Sequence, residues 1–258
     1  MRVRPVERLR VSISGPMHGA IGPAASKKDN LDFRRFSELV RVPFELRNYA
    51  VLLSLLRMDP AGARADYRLA KQARALGAMQ KWRELAPLIG MLRNRRLATV
   101  VEIGTARGGT LWLWCRLADP HALIVSIDLD TEAALRAYGG PQQIVRLLSR
   151  DSHSAATRQS LVDILERRSI DLLVIDGDHT YEGVKQDFEM YSPLVPEGGL
   201  VLFHDIVRPA HLESCRVDVF WGEIKQQHRY YEIKERSGGR GSEQWGGFGV
   251  LVQGSPGR

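Results

Sequence analysis

The fold of this chain is decided by the stretch Val100-Val-Glu-Ile-Gly-Thr-Ala-Arg-Gly-Gly-Thr110. A short apolar run ends in Glu102, and a glycine-rich turn then leads into a predicted helix. Gly104 and Gly108 lack a Cβ, so a small molecule can approach the main chain there and a positive φ carries no steric penalty. The pattern therefore predicts a strand–turn–helix unit built around a ligand.

The spacing of the acid and the glycines, E-x-G-x-x-x-G-G, discriminates between the ligands that such turns bind. A dinucleotide site requires G-x-G-x-x-G, and a carboxylate at position 102 would repel a pyrophosphate. No Gly-Lys-Ser/Thr follows, which excludes a P-loop. A carboxylate suits a cofactor that carries a cationic amino group and no phosphate, such as S-adenosylmethionine. An ordinary tight turn is the alternative.

A second acid follows the next predicted strand. Residues 122–130 read A-L-I-V-S-I-D-L-D, a buried type of strand that ends in Asp128. An acid at this place, about twenty residues after the glycine turn, can accept hydrogen bonds from both ribose hydroxyls. Asp130 is better explained as a helix cap or a solvated acid.

Two further predicted strands end in acids and histidines. Residues 171–182 read D-L-L-V-I-D-G-D-H-T-Y-E, and residues 197–206 read E-G-G-L-V-L-F-H-D-I. If these strands are neighbours, their ends lie about 5 Å apart, and Asp176 and His204-Asp205 face the cofactor site. Two close carboxylates repel unless one is protonated or a cation lies between them, and a divalent cation is the simpler arrangement. We therefore expect Asp176 and Asp205 to bind Mg²⁺ or Mn²⁺, with His204 either as a third ligand or as a core histidine.

His179 lies three residues after Asp176, just beyond the strand end. A histidine beside a metal and a cofactor suits the role of general base, because its pKa is close to working pH. The alternative is that it caps the following helix. Asp178 and Thr180 are better suited to that purpose, so we favour the base.

The bulk composition limits the class of protein. The chain has 258 residues, of which 44% are hydrophobic, which suits one α/β domain with an appendage. No apolar run could span a bilayer, no secretory signal is visible, and two cysteines fit a reducing cytoplasm. The net charge of +7 is spread along the chain and is not interleaved with aromatic residues, so we do not expect nucleic-acid binding.

The chain divides into three parts. Residues 1–30 are rich in Gly and Pro and are predicted to be disordered, and residues 31–95 are predicted to form a helical extension. Strands and helices alternate over residues 96–258, which predicts an α/β, Rossmann-like fold: a seven-stranded, mostly parallel sheet with helices on both faces and an antiparallel last strand. The strand candidates are 98–103, 122–127, 143–148, 171–175, 199–203, 229–234 and 247–252.

Together these segments resemble the class I S-adenosylmethionine-dependent methyltransferases. More narrowly, they are similar to the branch of cephalosporin hydroxylase-like proteins and metal-dependent O-methyltransferases of macrolide sugars. The resemblance covers about residues 78–252. Its most specific parts are I-D-G-D-H-T-Y-E-G-V from Ile175 to Val184 and E-G-G-L-V-L-F-H-D from Glu197 to Asp205. It implies methyl transfer to a hydroxyl of a small molecule, such as a sugar or a natural product.

The resemblance also implies roles for individual residues. His179 matches the family's catalytic histidine, and Asp176, His204 and Asp205 match its metal ligands, with histidine where the family often has glutamate. Asp151-Ser152 match a pair beside the adenine, or form a plain turn. The implied cofactor-binding residues are Glu102, Gly104, Thr105, Gly108, Gly109, Asp128, Asp151, Ser152 and Asp176.

The resemblance leaves other features open. Added N-terminal helices in this superfamily often make a lid or a homo-oligomer interface. The loops 206–216 and 235–246 are expected to select the substrate, with Arg208, His211, Arg240 and Trp245 as candidates. Three alternative functions are a metal-dependent oxygenase with non-haem iron, a non-catalytic cofactor-binding module and an RNA methyltransferase.

Overall fold

A computed structural model describes residues 60–234 and 245–256 of the chain. The predictions for residues 1–59, which include the disordered segment and the first part of the helical extension, lie outside the described residues. Among the described residues, no helix combines the length and the apolar character needed to cross a membrane. Cys115 and Cys215 are both buried as free thiols.

The described residues form a seven-stranded sheet of order β3-β2-β1-β4-β5-β7-β6. Strands β1 to β5 are parallel, whereas β7 is antiparallel to both β5 and β6. This confirms the predicted Rossmann-like sheet and its antiparallel last strand. The strands are β1 (Thr99–Ile103), β2 (Leu123–Asp128), β3 (Ile144–Ser149), β4 (Leu172–Ile175), β5 (Leu200–Val207), β6 (His228–Ile233) and β7 (Gly246–Pro256).

Six α-helices in the described residues cover both faces of the sheet. They are α1 (Pro60–Ala75), α2 (Trp82–Leu92), α3 (Gly109–Leu117), α4 (Ala155–Leu165), α5 (Tyr181–Tyr191) and α6 (Val217–Ile224). Helices α1 to α3 share one apolar core with the sheet, and α4 to α6 share the other. Short 3₁₀-helices lie at Ala133–Tyr138, Ser192–Leu194 and Lys225–Gln227.

The apolar stripe of α2 is buried within the chain itself. Leu85, Ile89 and Leu92 are fully buried in the same core as Val100 of β1. Trp82 lies at the edge of this core, with its ring 5.0 Å from that of Tyr67 on α1. This stripe is therefore not available for contact with a second subunit.

The strand order reverses between β1 and β4. From β1 the chain proceeds through β2 to β3 on one side, and β4 and β5 lie on the other. In open α/β sheets, ligands bind at the carboxyl ends of the strands beside such a reversal. Strand β1 leads into the glycine turn, and β2, β4 and β5 carry predicted site residues at or near their carboxyl ends. These four strands lie side by side around the reversal.

Candidate functional site

A cavity of about 570 Å³ opens at the carboxyl ends of these strands. This volume is within the usual range for a pocket that holds a small molecule. Most of the predicted site residues lie on its wall: Gly104, Thr105, Asp128, Asp151, Ser152, Asp176, His179, His204 and Asp205.

The glycines of the turn are required mainly by packing. Gly104 has φ +89°, and a Cβ there would lie 1.9 Å from the carbonyl oxygen of Asp176 at the end of β4. Gly108, with φ +81°, precedes α3 and faces the side chains of Leu135 and Tyr138. A Cβ on Gly109 would lie 2.0 Å from the backbone nitrogen of Ala78. Gly108 and Gly109 do not line the cavity, in contrast to the cofactor contact predicted for them.

Asp128 connects the glycine turn to the cavity. Its Oδ2 accepts hydrogen bonds from the backbone N–H groups of Thr105, at 2.7 Å, and Ala106, at 2.9 Å. Its Oδ1 accepts a longer one, 3.3 Å, from Asp130. The carboxylate therefore holds the turn in place, and Asp128 also forms part of the cavity wall. Beside it, the side chain of Leu129 lies on the cavity wall and is 76% exposed.

Asp151 and Ser152 form a turn after β3, the strand that pairs with β2. Asp151 Oδ1 accepts a hydrogen bond of 2.9 Å from the N–H of His153. The carbonyl of Ser152 accepts one of 2.5 Å from the hydroxyl of Tyr191. The pair is thus both a structured turn and a part of the cavity wall, so the two alternatives raised by the sequence are compatible.

Glu102 lies beneath the turn and not on the cavity wall. Its side chain is 1% exposed, and its Oε1 accepts a hydrogen bond of 2.6 Å from Trp114 Nε1 on α3. Burial raises the pKa of Glu102 to about 8, which favours the neutral acid at pH 7. This place differs from the cavity-facing carboxylate that the sequence predicted. Successive side chains of a strand face opposite sides, and position 102 faces α3.

The three predicted metal ligands lie together. His204 Nδ1 is 3.3 Å from Asp176 Oδ1 and 3.5 Å from Asp205 Oδ1. One ligand atom from each residue lies within 4.8 Å of the other two. Among the described residues, the buried Oδ1 of Asp205 has no hydrogen-bond partner. An unpaired buried acceptor next to a second carboxylate and an imidazole fits a divalent cation such as Mn²⁺ or Mg²⁺.

An irregularity of β5 brings His204 and Asp205 to the same site. Neighbouring residues of a regular strand point to opposite faces of the sheet. Asp205 has φ +58°, and the register of β5 against β7 shifts between His204 and Val207. Such bulges re-aim side chains beside active sites, and here the bulge allows both residues to face Asp176.

His179 lies between the two carboxylates. Its Nε2 is 3.3 Å from Asp176 Oδ1, and its Nδ1 is 3.3 Å from Asp205 Oδ2. The hydrogen bond to Asp176 raises the pKa of His179. Helix α5 is capped by Thr180, which accepts a hydrogen bond of 3.0 Å from Gly183, so His179 is not needed as the cap.

The charges of the cluster compensate one another. Burial by itself would raise the pKa of Asp176, but the neighbouring charge of His204 and hydrogen bonds from both histidines lower it well below its usual range. Burial would likewise lower the pKa of His204, yet the charge of Asp176 raises it well above its usual value. Burial raises the pKa of Asp205, and His204 opposes this shift.

The segment between α1 and α2 supplies site residues that sequence reasoning missed. Gln80 lines the cavity, and its Nε2 donates a hydrogen bond of 2.5 Å to Asp176 Oδ2. Lys81 Nζ donates a hydrogen bond of 2.7 Å to the backbone carbonyl of Trp245 and lies 4.2 Å from the centre of the indole ring of the same residue. Nothing in the local sequence marks these residues, because their partners lie far along the chain.

Of the predicted substrate candidates, Trp245 lines the cavity, whereas the exposed Arg208 and His211 do not. Arg240 lies outside the described residues.

Glu84 was also missed, although here the sequence held a clue. It immediately precedes the apolar run L-A-P-L-I-G-M-L of α2, and it is completely buried. A carboxylate in a helix that is apolar nearly all round is uncommon unless it is paired. Its Oε2 lies 3.8 Å from the Nε2 of His204, one of the predicted metal ligands.

The comparison with known families agrees with this geometry. Residues 101–206 match a family model described as a methyltransferase domain. This match and the fold confirm the resemblance to class I S-adenosylmethionine-dependent methyltransferases. Residues 101–206 are therefore similar to a methyltransferase domain.

The curated relatives cover less of the chain. The chain is 32% identical over 152 residues to the uncharacterized protein y4gI of Sinorhizobium fredii, and 31% identical over 119 residues to the uncharacterized protein R132 of Acanthamoeba polyphaga mimivirus. These alignments cover 53% and 42% of this chain, but 16% and 51% of the two relatives.

One solved structure shows the same fold at low identity, and a second is similar to a lesser degree. Cofactor-bound Rv0187 from MTB is 20% identical, with a TM-score of 0.51, and the alignment covers 83% of this chain and 100% of that protein. The O-methyltransferase TomG from Streptomyces achromogenes, involved in tomaymycin synthesis and solved with SAM, is 18% identical with a TM-score of 0.49. That alignment covers 79% of this chain and 95% of TomG.

Proposed function

We propose that this protein transfers the methyl group of S-adenosylmethionine to a hydroxyl of a small molecule, with the help of a bound divalent cation. The observation that carries the proposal is the cluster of Asp176, His179, His204 and Asp205 in a single cavity of a methyltransferase domain. A methyltransferase that activates a hydroxyl needs a base and a means of lowering the pKa of that hydroxyl, and this cluster suits both tasks.

The cofactor would occupy the part of the cavity that lies over the glycine turn. Asp128 Oδ1 accepts only the long hydrogen bond from Asp130 among the described residues and can accept another from a ribose hydroxyl, and the exposed Leu129 beside it offers an apolar surface for the adenine ring. Gly104 and Thr105 leave the main chain accessible to the methionine part of the cofactor. Asp151 and Ser152 form another part of the cavity wall. The neutral, buried Glu102 supports the turn from below.

Asp176, His204 and Asp205 would hold the cation. When bound, it would polarise the acceptor oxygen and lower the pKa of the attacking hydroxyl. His179 would take the proton of that hydroxyl while the O–CH₃ bond forms and the S–CH₃ bond breaks, leaving S-adenosylhomocysteine. The two carboxylates on either side of its ring fix the orientation of His179. Positioning contributes much of the acceleration in such a transfer.

A second candidate function follows from the ligand set. Non-haem iron oxygenases also bind their metal through histidine and carboxylate side chains. Asp176, His204 and Asp205 bring one imidazole and two carboxylates within 4.8 Å of one another, and these ligand types could also hold iron. Dioxygen consumption by the iron-loaded protein, without methyl transfer, would support this alternative.

The cofactor is tested by calorimetric titration of S-adenosylhomocysteine into the wild type, His179→Ala and Asp128→Ala. We expect micromolar binding by the wild type and His179→Ala and a large loss in Asp128→Ala. Absence of binding by the wild type, with or without Mg²⁺, would contradict the proposed methyl transfer.

Turnover is tested with labelled S-adenosylmethionine and a panel of sugars and natural products that carry neighbouring hydroxyls. The wild type should be active with Mg²⁺ or Mn²⁺ and inactive in EDTA. His179→Ala should lose about 10²–10⁴-fold in rate, as is usual for a general base. Full activity in EDTA would exclude the role of the cation while leaving methyl transfer in place.

A further inference from the structure

Glu84 of helix α2 is a buried acid with few partners. Its side chain is 0% exposed, and neither carboxylate oxygen forms a hydrogen bond within the described residues. The cationic groups near it are Lys81 Nζ, 3.7 Å from Oε1, and His204 Nε2, 3.8 Å from Oε2. Burial of an incompletely paired carboxylate destabilises a fold, so its presence calls for a functional explanation.

The imidazole of His204 connects this acid to the candidate metal site. Its Nε2 faces Glu84, while its Nδ1 faces Asp176 at 3.3 Å and Asp205 at 3.5 Å. The ring is 5% exposed and packs against the ring of Phe248, with 4.9 Å between the centres. Burial and this contact hold the ring in one orientation, so the two nitrogens have different surroundings.

Space around Glu84 is restricted. Gly246, the first residue of β7, has φ +87°, and a Cβ there would lie 3.0 Å from Glu84 Oε2. The absence of a side chain at position 246 leaves room for the carboxylate beside His204. The local backbone of β7 thus accommodates the acid.

We propose that Glu84 is a positioning residue that keeps the proton of His204 on Nε2 and thereby presents Nδ1 as a metal-binding atom. Metal-binding histidines usually donate their second N–H to a carboxylate or carbonyl, which fixes the tautomer and makes the ligand nitrogen more basic. At 3.8 Å the two groups are in ion-pair contact, and the proposed role requires them to approach to hydrogen-bond distance, about 3.2 Å or less. The inference rests on the proposed function, because it requires a cation at Asp176 and Asp205.

This role has a consequence for the choice of metal. With His204 as a ligand, the site contains an imidazole nitrogen in addition to carboxylate oxygens. Imidazole favours transition metals, whereas Mg²⁺ prefers oxygen ligands throughout. The site should therefore bind Mn²⁺ in preference to Mg²⁺, and helix α2 should contribute to this preference through Glu84.

The experiment is a titration of Mn²⁺ alone into the full chain, followed by electron paramagnetic resonance, without cofactor or acceptor. Spin-echo modulation from ¹⁴N reports whether a histidine nitrogen binds the ion. The variants are Glu84→Gln, His204→Gln and the control Asp66→Asn. Asp66 of α1 is also a fully buried acid in the same helical layer, but it pairs with Arg93 and does not line the cavity.

We expect the wild type and Asp66→Asn to bind Mn²⁺ with ¹⁴N modulation, and His204→Gln to lose that modulation. Glu84→Gln should bind Mn²⁺ about 10–100-fold more weakly, the usual effect of removing the partner of a metal-binding histidine. A measured affinity and modulation in Glu84→Gln equal to those of the wild type would overturn the inference.

Other outcomes separate the inference from the proposed function. Mn²⁺ binding by the wild type without ¹⁴N modulation overturns the role of Glu84 and leaves the cation in place on the carboxylates. Failure of the wild type to bind any Mn²⁺ overturns both. Should Glu84→Gln fail to fold, the His204→Gln and wild-type spectra still decide whether His204 is a ligand, and Glu84→Asp then tests the distance. The shorter side chain moves the carboxylate away from His204 Nε2, so weaker Mn²⁺ binding by Glu84→Asp supports the inference and wild-type affinity contradicts it.

Discussion

Gln80 and Asp176 are joined by a hydrogen bond of 2.5 Å, although 96 positions separate them in the sequence. The donor lies between helices α1 and α2, and the acceptor lies at the end of β4. Asp176 is also in contact with His179 and His204, so a residue of the N-terminal helices orients a carboxylate at the centre of the site. This part of the chain therefore belongs structurally to the candidate active site.

Replacing Gln80 with Leu tests this link. The substitution preserves the approximate volume and removes the donor to Asp176 Oδ2, so the carboxylate loses its fixed orientation. We expect about 10-fold weaker Mn²⁺ binding, since removal of groups that orient metal ligands usually has an effect of 10–100-fold. The measurement is a Mn²⁺ titration of the variant and the wild type. Equal affinities would show that Gln80 does not position Asp176 for metal binding.

Substitutions of Asp128 separate its two tasks. Asp128→Asn retains one oxygen for the N–H groups of Thr105 and Ala106 but replaces the charged acceptor that faces the cavity. Hydrogen bonds to charged groups contribute about 1.5–3 kcal/mol, so affinity for S-adenosylhomocysteine should fall by roughly 10–100-fold. Asp128→Ala should also lose stability, because two backbone donors lose their acceptor.

Calorimetry measures the affinity of both Asp128 variants, and urea unfolding measures their stability. Unchanged affinity in Asp128→Asn would contradict the ribose contact. A stability of Asp128→Ala equal to that of the wild type would contradict the support of the turn.

The position of most site residues could be predicted because it depends on topology. Alternating strands and helices imply a parallel sheet, and its carboxyl ends bring Asp128, Asp176 and His204 together whatever the details of packing. The orientation of Glu102 could not be predicted, because it depends on which side chains of β1 face α3. The same holds for the positive φ of Asp205, since aspartate does not by itself require that conformation.

The contacts that Gln80 and Glu84 make with the site could not be predicted from the sequence either, although Glu84 stands out as an acid before an apolar run. Gln80 and Glu84 act on residues of β4 and β5 through contacts that only the folded chain creates. The glycine turn shows the same limit: its pattern predicted a ligand, but Gly109 is required by a neighbouring backbone. Sequence patterns report local structure and strand ends, whereas close packing between distant segments has no local pattern.

The buried carboxyl of Glu102 should make stability depend on pH. Its pKa rises from 4.5 to about 8 on folding, because burial disfavours the charged form. The folded state then binds more protons than the unfolded state between these two values. The free energy of unfolding should therefore decrease as pH rises from about 4.5 to about 8 and become constant with respect to this group above that range.

Glu102→Gln removes this dependence while it retains an acceptor for Trp114 Nε1. We expect the variant to gain stability relative to the wild type as pH rises from 5 to 8.5. Urea unfolding at both pH values measures the difference. A gap between variant and wild type that is the same at both pH values would show that Glu102 does not titrate in this range.

Two glycine-to-alanine substitutions test the packing of α1 against the glycine turn. A Cβ at Gly109 would lie 2.0 Å from the backbone nitrogen of Ala78 and 2.5 Å from the carbonyl oxygen of Ala73, and neither atom can move without displacing the end of α1. At Gly222, inside α6, no atom of the described residues lies within 4 Å of the added carbon, apart from its chain neighbours and its own helix backbone. The two positions thus offer the same chemical change in a crowded and an open place.

Gly109→Ala should destabilise the fold by about 1–3 kcal/mol or more, the usual effect of overpacking. It should also weaken S-adenosylhomocysteine binding, because the displaced segment carries Gln80 to the cavity wall. Gly222→Ala should stabilise the fold by about 0.5–1 kcal/mol, since alanine favours a helix interior over glycine. Urea unfolding and calorimetry measure both effects. If Gly109→Ala is as stable as Gly222→Ala, then α1 is not packed against the glycine turn as closely as the structure shows, and the contact of Gln80 with Asp176 loses its support.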